Sequence, residues 1–259
     1  MLKIAIIQFK PILGAVADNI QAIRSLLERV PDAQLLVLPE LASTGYNFRD
    51  KDHAYSLAEE PADSAYLNML NTYARRNEQY IVTGFNEKAE KGIYNSSALT
   101  GPEGMIGIYR KMHLFMHEKE YFLPGDSELK VYDTAYGKIG MQICFDYLFP
   151  EPWRILAEQD AHLIVHPSNL LTQNATKALP GIALMNRVYI ATANRIGTEG
   201  NLTFNGGSMI IDPSGNVLKK ASAANEEIIE YDLDISLSTD KMITPLNHVF
   251  KDRRAEQYK

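Results

Sequence analysis

Three side chains could work together on a carbonyl or nitrile carbon: Glu40, Lys111 and Cys144. A thiol with an ordinary pKa of about 8.5 is mostly protonated at neutral pH, so a nucleophilic cysteine needs a base and a nearby cation. A carboxylate supplies the base, as Glu40 would. A lysine supplies the cation, first for the thiolate and then for the oxyanion that forms as sulfur adds to carbon. Cys144 is the only cysteine in 259 residues, so an internal disulfide and a multi-cysteine metal site are both excluded. By type alone each residue also has a plain structural use. A lone cysteine is commonly a small core hydrophobe, and lysine and glutamate are commonly solvated charges.

The elements that must position these groups follow from the apolar pattern. Short apolar runs alternate with helical periods, which predicts an α/β fold. Strands are expected at 4–8, 35–38, 80–85, 138–145, 162–166 and 189–194, with hairpins around Gly101–Gly104 and Asp212–Asn216. Helices are expected from Asp18 as N-cap through Val30, and over 62–77, 150–159 and 176–187. Glu40 and Cys144 then stand at strand ends and Lys111 just beyond one, where open sheets place their sites. Both halves carry a strand–helix order and a Pro/Gly hairpin. That suggests two related sheets, although the linear sequence yields no convincing repeat. With no Ser- or Gly-rich linker, residues 1–259 read as a single domain. A tail from about Thr239 keeps apolar anchors at Met242, Ile243, Leu246, Val249 and Phe250.

Composition narrows the class. Hydrophobic residues make up 46% and charged residues 22%, enough to bury a large core. A net charge of −6 argues against a nucleic-acid surface, which needs clustered Lys and Arg. The N-terminal apolar run is too short for a secretory leader and no run of about 20 apolar residues occurs, so no membrane span and a cytoplasmic location are expected. His113 and His117 lack the adjacent glutamate of a zinc-protease helix, and no phosphate loop or dinucleotide fingerprint is present. No metal or cofactor is called for. A thiol enzyme with a histidine base, His162 or His166, is a rival reading.

The segments around the three residues settle how to weigh them. LPELASTGY at Leu38–Tyr46, YRKMHLF at Tyr109–Phe115 and GMQICFDYLFPE at Gly140–Glu151 resemble the signatures of the nitrilase superfamily of carbon–nitrogen hydrolases, in the family's order. EKEYFLPGD at Glu118–Asp126, HPSNL at His166–Leu170, NRVY at Asn186–Tyr189 and DRRAEQY at Asp252–Tyr258 extend the resemblance over essentially the whole chain. It implies a four-layer α-β-β-α sandwich, and subunits paired into a homodimer or higher homo-oligomer with the tail across the interface. It also implies Cys144 as nucleophile, Glu40 as general base, Lys111 as stabiliser of the tetrahedral intermediate, and Glu118, rather than Glu120, as a second glutamate holding Lys111. The backbone N–H of Phe145 would join Lys111 in the oxyanion hole.

The expected reaction is hydrolysis of a non-peptide C–N bond in a small linear amide, through a Cys thioester, with release of ammonia and a carboxylic acid. Phe145-Asp146 after the cysteine resembles the amidases of the family more than the nitrilases, many of which carry Trp-Glu. An aliphatic nitrilase, an N-carbamoyl hydrolase and a catalytically silent scaffold are the alternatives. Tyr46, Phe145, Asn169 and Leu170 are the expected pocket wall, aromatic and apolar surface with one amide to orient a polar group.

Overall fold

A computed structural model describes residues 1–258. The strands are β1 (Leu2–Gln8), β2 (Leu35–Val37), β3 (Tyr80–Ala89), β4 (Gly92–Gly101), β5 (Gly104–Arg110), β6 (Val131–Thr134), β7 (Gly137–Met141), β8 (Leu163–Ser168), β9 (Tyr189–Asn194), β10 (Ile196–Glu199), β11 (Leu202–Asn205), β12 (Met209–Ile211), β13 (Val217–Lys220) and β14 (Glu227–Leu233). The main helices are α1 (Val16–Leu27), α2 (Lys51–Ser56), α3 (Ala65–Asn77), α4 (Glu118–Tyr121), α5 (Pro150–Glu158) and α6 (Asn174–Asn186). Two six-stranded sheets result, ordered β14-β1-β2-β3-β4-β5 and β13-β12-β9-β8-β7-β6.

The layering follows from the two-residue period of the strands. In β1, Ala5 and Ile7 join Ile23 and Leu26 of α1 and Leu67 and Leu70 of α3 in one core. Ile4 and Ile6 face the other way, into a core shared with Met141, Val165 and Met209 of the second sheet and with Trp153 and Leu179 of α5 and α6. The fold is therefore the four-layer α-β-β-α sandwich, with its central strands apolar on both faces.

Strand register exposes a repeat that the linear sequence hides. In each sheet three parallel strands, β1-β2-β3 or β7-β8-β9, are flanked by antiparallel ones. Ile4 faces Leu35 and Leu35 faces Tyr80, just as Ile139 faces Leu163 and Leu163 faces Tyr189. Aligned on those partners, KIAI (3–6) matches KIGM (138–141), LLVLPE (35–40) matches LIVHPS (163–168), and YIVTG (80–84) matches YIATA (189–193). The segments are too short and too widely spaced to stand out without the register.

Several boundaries differ from expectation. Asp18 is not the N-cap of α1, which begins at Val16 with no side-chain cap; Asp18 lies in the first turn, where its charge meets the helix dipole. Helix α3 starts at Ala65, not 62, because the Ser64 hydroxyl accepts the Leu67 N–H (3.0 Å). Beyond the expected hairpin around Gly101–Gly104, β4 begins at Gly92 and forms a further hairpin with β3 through the 89–92 turn. Helix α6 begins at Asn174, two residues before the expected start.

The difference that matters most is at the cysteine. The ladder of β7 with β8 stops at Met141–Val165, and Cys144–Leu148 is a short 3-10 turn rather than a strand end. Asp146 causes the bend: its Oδ2 accepts the Ile143 N–H (3.0 Å), and its own N–H donates to the Ile143 carbonyl (3.0 Å). In the tail, Phe250 lies under the Arg154 guanidinium of α5 (5.1 Å), while Ile243 and Leu246 are exposed. No helix among the described residues is long and apolar enough to cross a membrane.

Candidate active site

Glu40 stands just past β2, on a stretch still tied to β3. Leu38 N–H donates to the Val82 carbonyl (2.8 Å), Gly84 N–H to the Pro39 carbonyl (3.0 Å) and Ala42 N–H to the Gly84 carbonyl (3.1 Å). The close approach needs a glycine, because a Cβ on Gly84 would lie 2.4 Å from Glu40 Cα. Lys111 follows β5 and is clamped at both main-chain groups: its N–H donates to the Asn95 carbonyl (2.8 Å) and its carbonyl accepts the Gly125 N–H (2.8 Å). Alternation sends the Arg110 side chain the other way, onto Glu87. Cys144 has φ +43°, a left-handed conformation that costs a non-glycine residue roughly 1–3 kcal/mol and persists only where neighbours enforce it. Asp146 is one enforcer, also accepting from Tyr109 OH (2.8 Å) and the His113 N–H (3.1 Å). His166 is another, bonded through Nε2 to the Cys144 carbonyl (2.8 Å).

Lys111 Nζ, completely buried, bridges two carboxylates, Glu40 Oε1 at 2.7 Å and Glu118 Oε1 at 2.8 Å. Glu40 Oε1 also accepts from Asn95 Nδ2 (2.6 Å), and Asn169 Nδ2 donates to the Glu40 carbonyl (3.0 Å). Glu118 accepts from Tyr46 OH (2.6 Å) and the Phe115 N–H (3.2 Å). Glu40 Oε2 is buried with no hydrogen-bond partner among the described residues, so one carboxylate oxygen remains free to take a proton.

Burial alone would depress the Lys111 ammonium, but Glu118 and Glu40 outweigh it and hold its pKa above the ordinary lysine value. Burial pushes the Cys144 thiol well up, the Glu40 carboxylate adds to the rise, and Lys111 opposes it. Burial also raises Glu118, against the pull of Lys111. Burial thus favours the thiol form of Cys144, the Lys111 charge favours the thiolate, and Glu40 keeps one oxygen unbonded among the described residues. Such buried, mutually perturbed groups are expensive for stability and typical of functional sites.

Lys111 joins Glu40 and Glu118 directly, and the charges of all three bear on the Cys144 thiol. Glu120 is instead exposed and paired with His117 (2.9 Å). Tyr46 and Glu118 line a cleft of about 340 Å³, together with Asn47, Met116, Asn201 and Leu202. Asn169 is buried, and its backbone N–H favours the Cys144 thiolate. Leu170 packs in the same core cluster as Cys144. Phe145 lines a separate hollow with His113, Pro124 and Phe149. His166 has its pKa lowered to about 4 by burial and bonds the Cys144 carbonyl, so it is no base for the thiol. His162 bonds the Lys138 N–H instead (3.1 Å). No group of three or more His, Cys, Asp or Glu side chains among the described residues is placed to hold a metal ion.

Sequence reading missed Asn95, although it lies on β4, whose hairpin partner β5 ends one residue before Lys111. It also missed Arg195 and Glu199, whose buried ion pair underlies Tyr46.

The family profile described as carbon–nitrogen hydrolase matches residues 3–240. The chain is 42% identical over 260 residues to a protein of Pyrococcus abyssi named nitrilase, covering 100% of this chain and 99% of that one. It is 29% identical to an N-carbamoylputrescine amidase of Arabidopsis thaliana, covering 94% of this chain and 90% of that one. Among solved structures it resembles an amidase from Nesterenkonia sp. AN1 with a TM-score of 0.84 and 26% identity, over 99% of this chain and 98% of that one. That amidase was solved with acrylamide added at its active-site cysteine. The chain belongs to the carbon–nitrogen hydrolases of the nitrilase superfamily.

Proposed function

We propose that the protein hydrolyses small linear amides to ammonia and carboxylic acids, with Cys144 as nucleophile, Glu40 as general base and acid, Lys111 as oxyanion stabiliser and Glu118 as the group that holds Lys111. The observation that carries this reading is the buried Lys111 ammonium held between Glu40 and Glu118 beside the chain's one cysteine. The Cys144 proton passes to Glu40 as sulfur bonds the amide carbon, and the carbonyl oxygen becomes an oxyanion facing Lys111 and the Phe145 N–H. Glu40 then gives that proton to nitrogen, the C–N bond breaks, and ammonia leaves a thioester. Water attacks the thioester while Glu40 takes its proton; the acid departs and the thiol is restored.

A small polar occupant suits the cleft, where Asn47, Arg49, Glu118, Glu120 and Asn201 stand among Tyr46, Phe48 and Leu202. Nitriles are the second reading, favoured by the 42% identical relative named nitrilase. Both are tested by ammonia release from aliphatic amides, N-carbamoyl compounds and nitriles, run beside Cys144→Ala. Turnover of amides ahead of nitriles, abolished in the variant, is expected. Turnover of none, or an equally active variant, refutes the proposal.

The same reading takes the chain as one catalytic domain that pairs with a second copy. Leu148, Ile155, Leu184 and Met185 on and beside α5 and α6 are exposed, as are Ile243 and Leu246 of the tail. Sedimentation should give a dimer or larger species; a monomer at micromolar concentration removes this part.

A further inference from the structure

Arg195 and Glu199 form a buried ion pair that touches none of the reacting groups, yet it is built into the turn that carries Tyr46. We propose that Glu199, held by Arg195, is a positioning residue for the catalytic centre, acting through Tyr46 on Glu118 and Lys111; this rests on the Glu40–Lys111–Cys144 reading above.

Glu199 Oε2 accepts two successive main-chain donors, Tyr46 N–H (3.0 Å) and Asn47 N–H (2.8 Å), and the Glu199 carbonyl accepts Asn47 Nδ2 (2.8 Å). The turn is shaped around that carboxylate. Gly45 has φ +79°, and a Cβ there would stand 2.7 Å from Glu199 Oε1. Arg195, with no exposed surface, bonds Glu199 Oε1 and donates to the Pro11 carbonyl (2.8 Å). Its guanidinium lies 4.1 Å from the Phe204 ring, which meets Tyr46 edge-on at 5.8 Å. Tyr46 is thus fixed through its backbone by Glu199 and through its ring by Phe204. Its hydroxyl then reaches Glu118 Oε1 (2.6 Å), the same oxygen that Lys111 Nζ bonds.

Buried ion pairs are weak stability devices, because desolvation offsets most of their attraction. What this pair does is join two segments far apart in sequence at the catalytic carboxylate. It also anchors the β10–β11 hairpin, whose Asn201 and Leu202 line the same cleft as Tyr46.

The consequence is legible in a pH profile. The Tyr46 hydrogen bond favours the ionised form of Glu118, so losing it raises the Glu118 pKa and moves the acid limb of kcat/KM to higher pH. The test uses Tyr46→Phe, Glu199→Gln and the double variant, with the best amide from the substrate panel and Cys144→Ala as control. Each single variant is expected to lose roughly 10- to 100-fold in kcat, the scale of a misplacement approaching 1 Å, and to shift the acid limb upward. The double variant should be no worse than the worse single one, because both act on the same bond. Should Glu199→Gln not fold, Glu199→Asp, which keeps the charge and withdraws the carboxylate by one methylene, carries the same expectations. A folded Glu199 variant with wild-type kcat and acid limb, or losses that multiply in the double variant, overturns the proposal. If Cys144→Ala is as active as wild type, the reading beneath it fails instead.

Discussion

Gly84→Ala isolates the placement of Glu40 from every change of charge or chemistry. Gly84 lies within β3 and does not have a positive φ, so alanine suits the backbone. Its Cβ, however, would stand 2.4 Å from Glu40 Cα and 2.6 Å from Leu41 N, where ordinary contact begins at 3.4 Å. Both obstacles are main-chain atoms, and both ends of the segment are hydrogen-bonded to Gly84 itself, so no side chain can swing aside. Relief requires the Glu40 backbone to move by about 1 Å, and a shift of that size in a catalytic group costs roughly 100-fold in rate. That corresponds to about 2.7 kcal/mol of barrier, beside an overpacking cost of about 1–3 kcal/mol in stability. Amide hydrolysis and urea unfolding on the same preparation separate the two. A folded variant that retains more than half the wild-type kcat would show that Glu40 need not be where Gly84 puts it.

Lys111→Met should leave Glu40 and Glu118 buried without their shared cation, costing about 3–5 kcal/mol of stability at neutral pH and roughly 10³-fold or more in rate. Urea midpoints equal to wild type at pH 8 would contradict this. His166, with its pKa lowered to about 4 by burial, binds a proton more readily unfolded than folded. Its contribution is therefore complete above about pH 6.5 and is lost as pH falls toward about 4, amounting to about 3 kcal/mol across that window. His166→Gln, which keeps a donor for the Cys144 carbonyl, should flatten that part of the unfolding profile; parallel profiles for the two proteins would rule the explanation out.

How much was legible in sequence depended on whether a feature is local. Runs such as Leu35–Leu38 and Tyr189–Asn194 announce buried strands, and the layers follow from their alternation. Glu40, Lys111 and Cys144 each stand in a segment that resembles a family signature on its own. The 3-10 turn at Cys144 was misread as strand because its cause, Asp146 bonding back to Ile143, is a side-chain contact inside an apolar run. The internal repeat stayed hidden until Ile4–Leu35–Tyr80 and Ile139–Leu163–Tyr189 fixed the offsets. The cleft wall was the least legible. Asn201 and Leu202 arrive from a hairpin about 155 residues beyond Tyr46, and no local pattern links them. Phe145, by contrast, sits beside Cys144 in sequence but lines another hollow.

The central claim is that Cys144 carries the acyl group during turnover. Intact-mass measurement of acid-quenched wild-type protein turning over an amide, followed by peptide mapping, tests it directly. An adduct of the acyl mass on the peptide containing Cys144, released by hydroxylamine and absent from an inactive Cys144→Ala, is the predicted result. An adduct on another residue, or undiminished ammonia release by Cys144→Ala, would contradict the account.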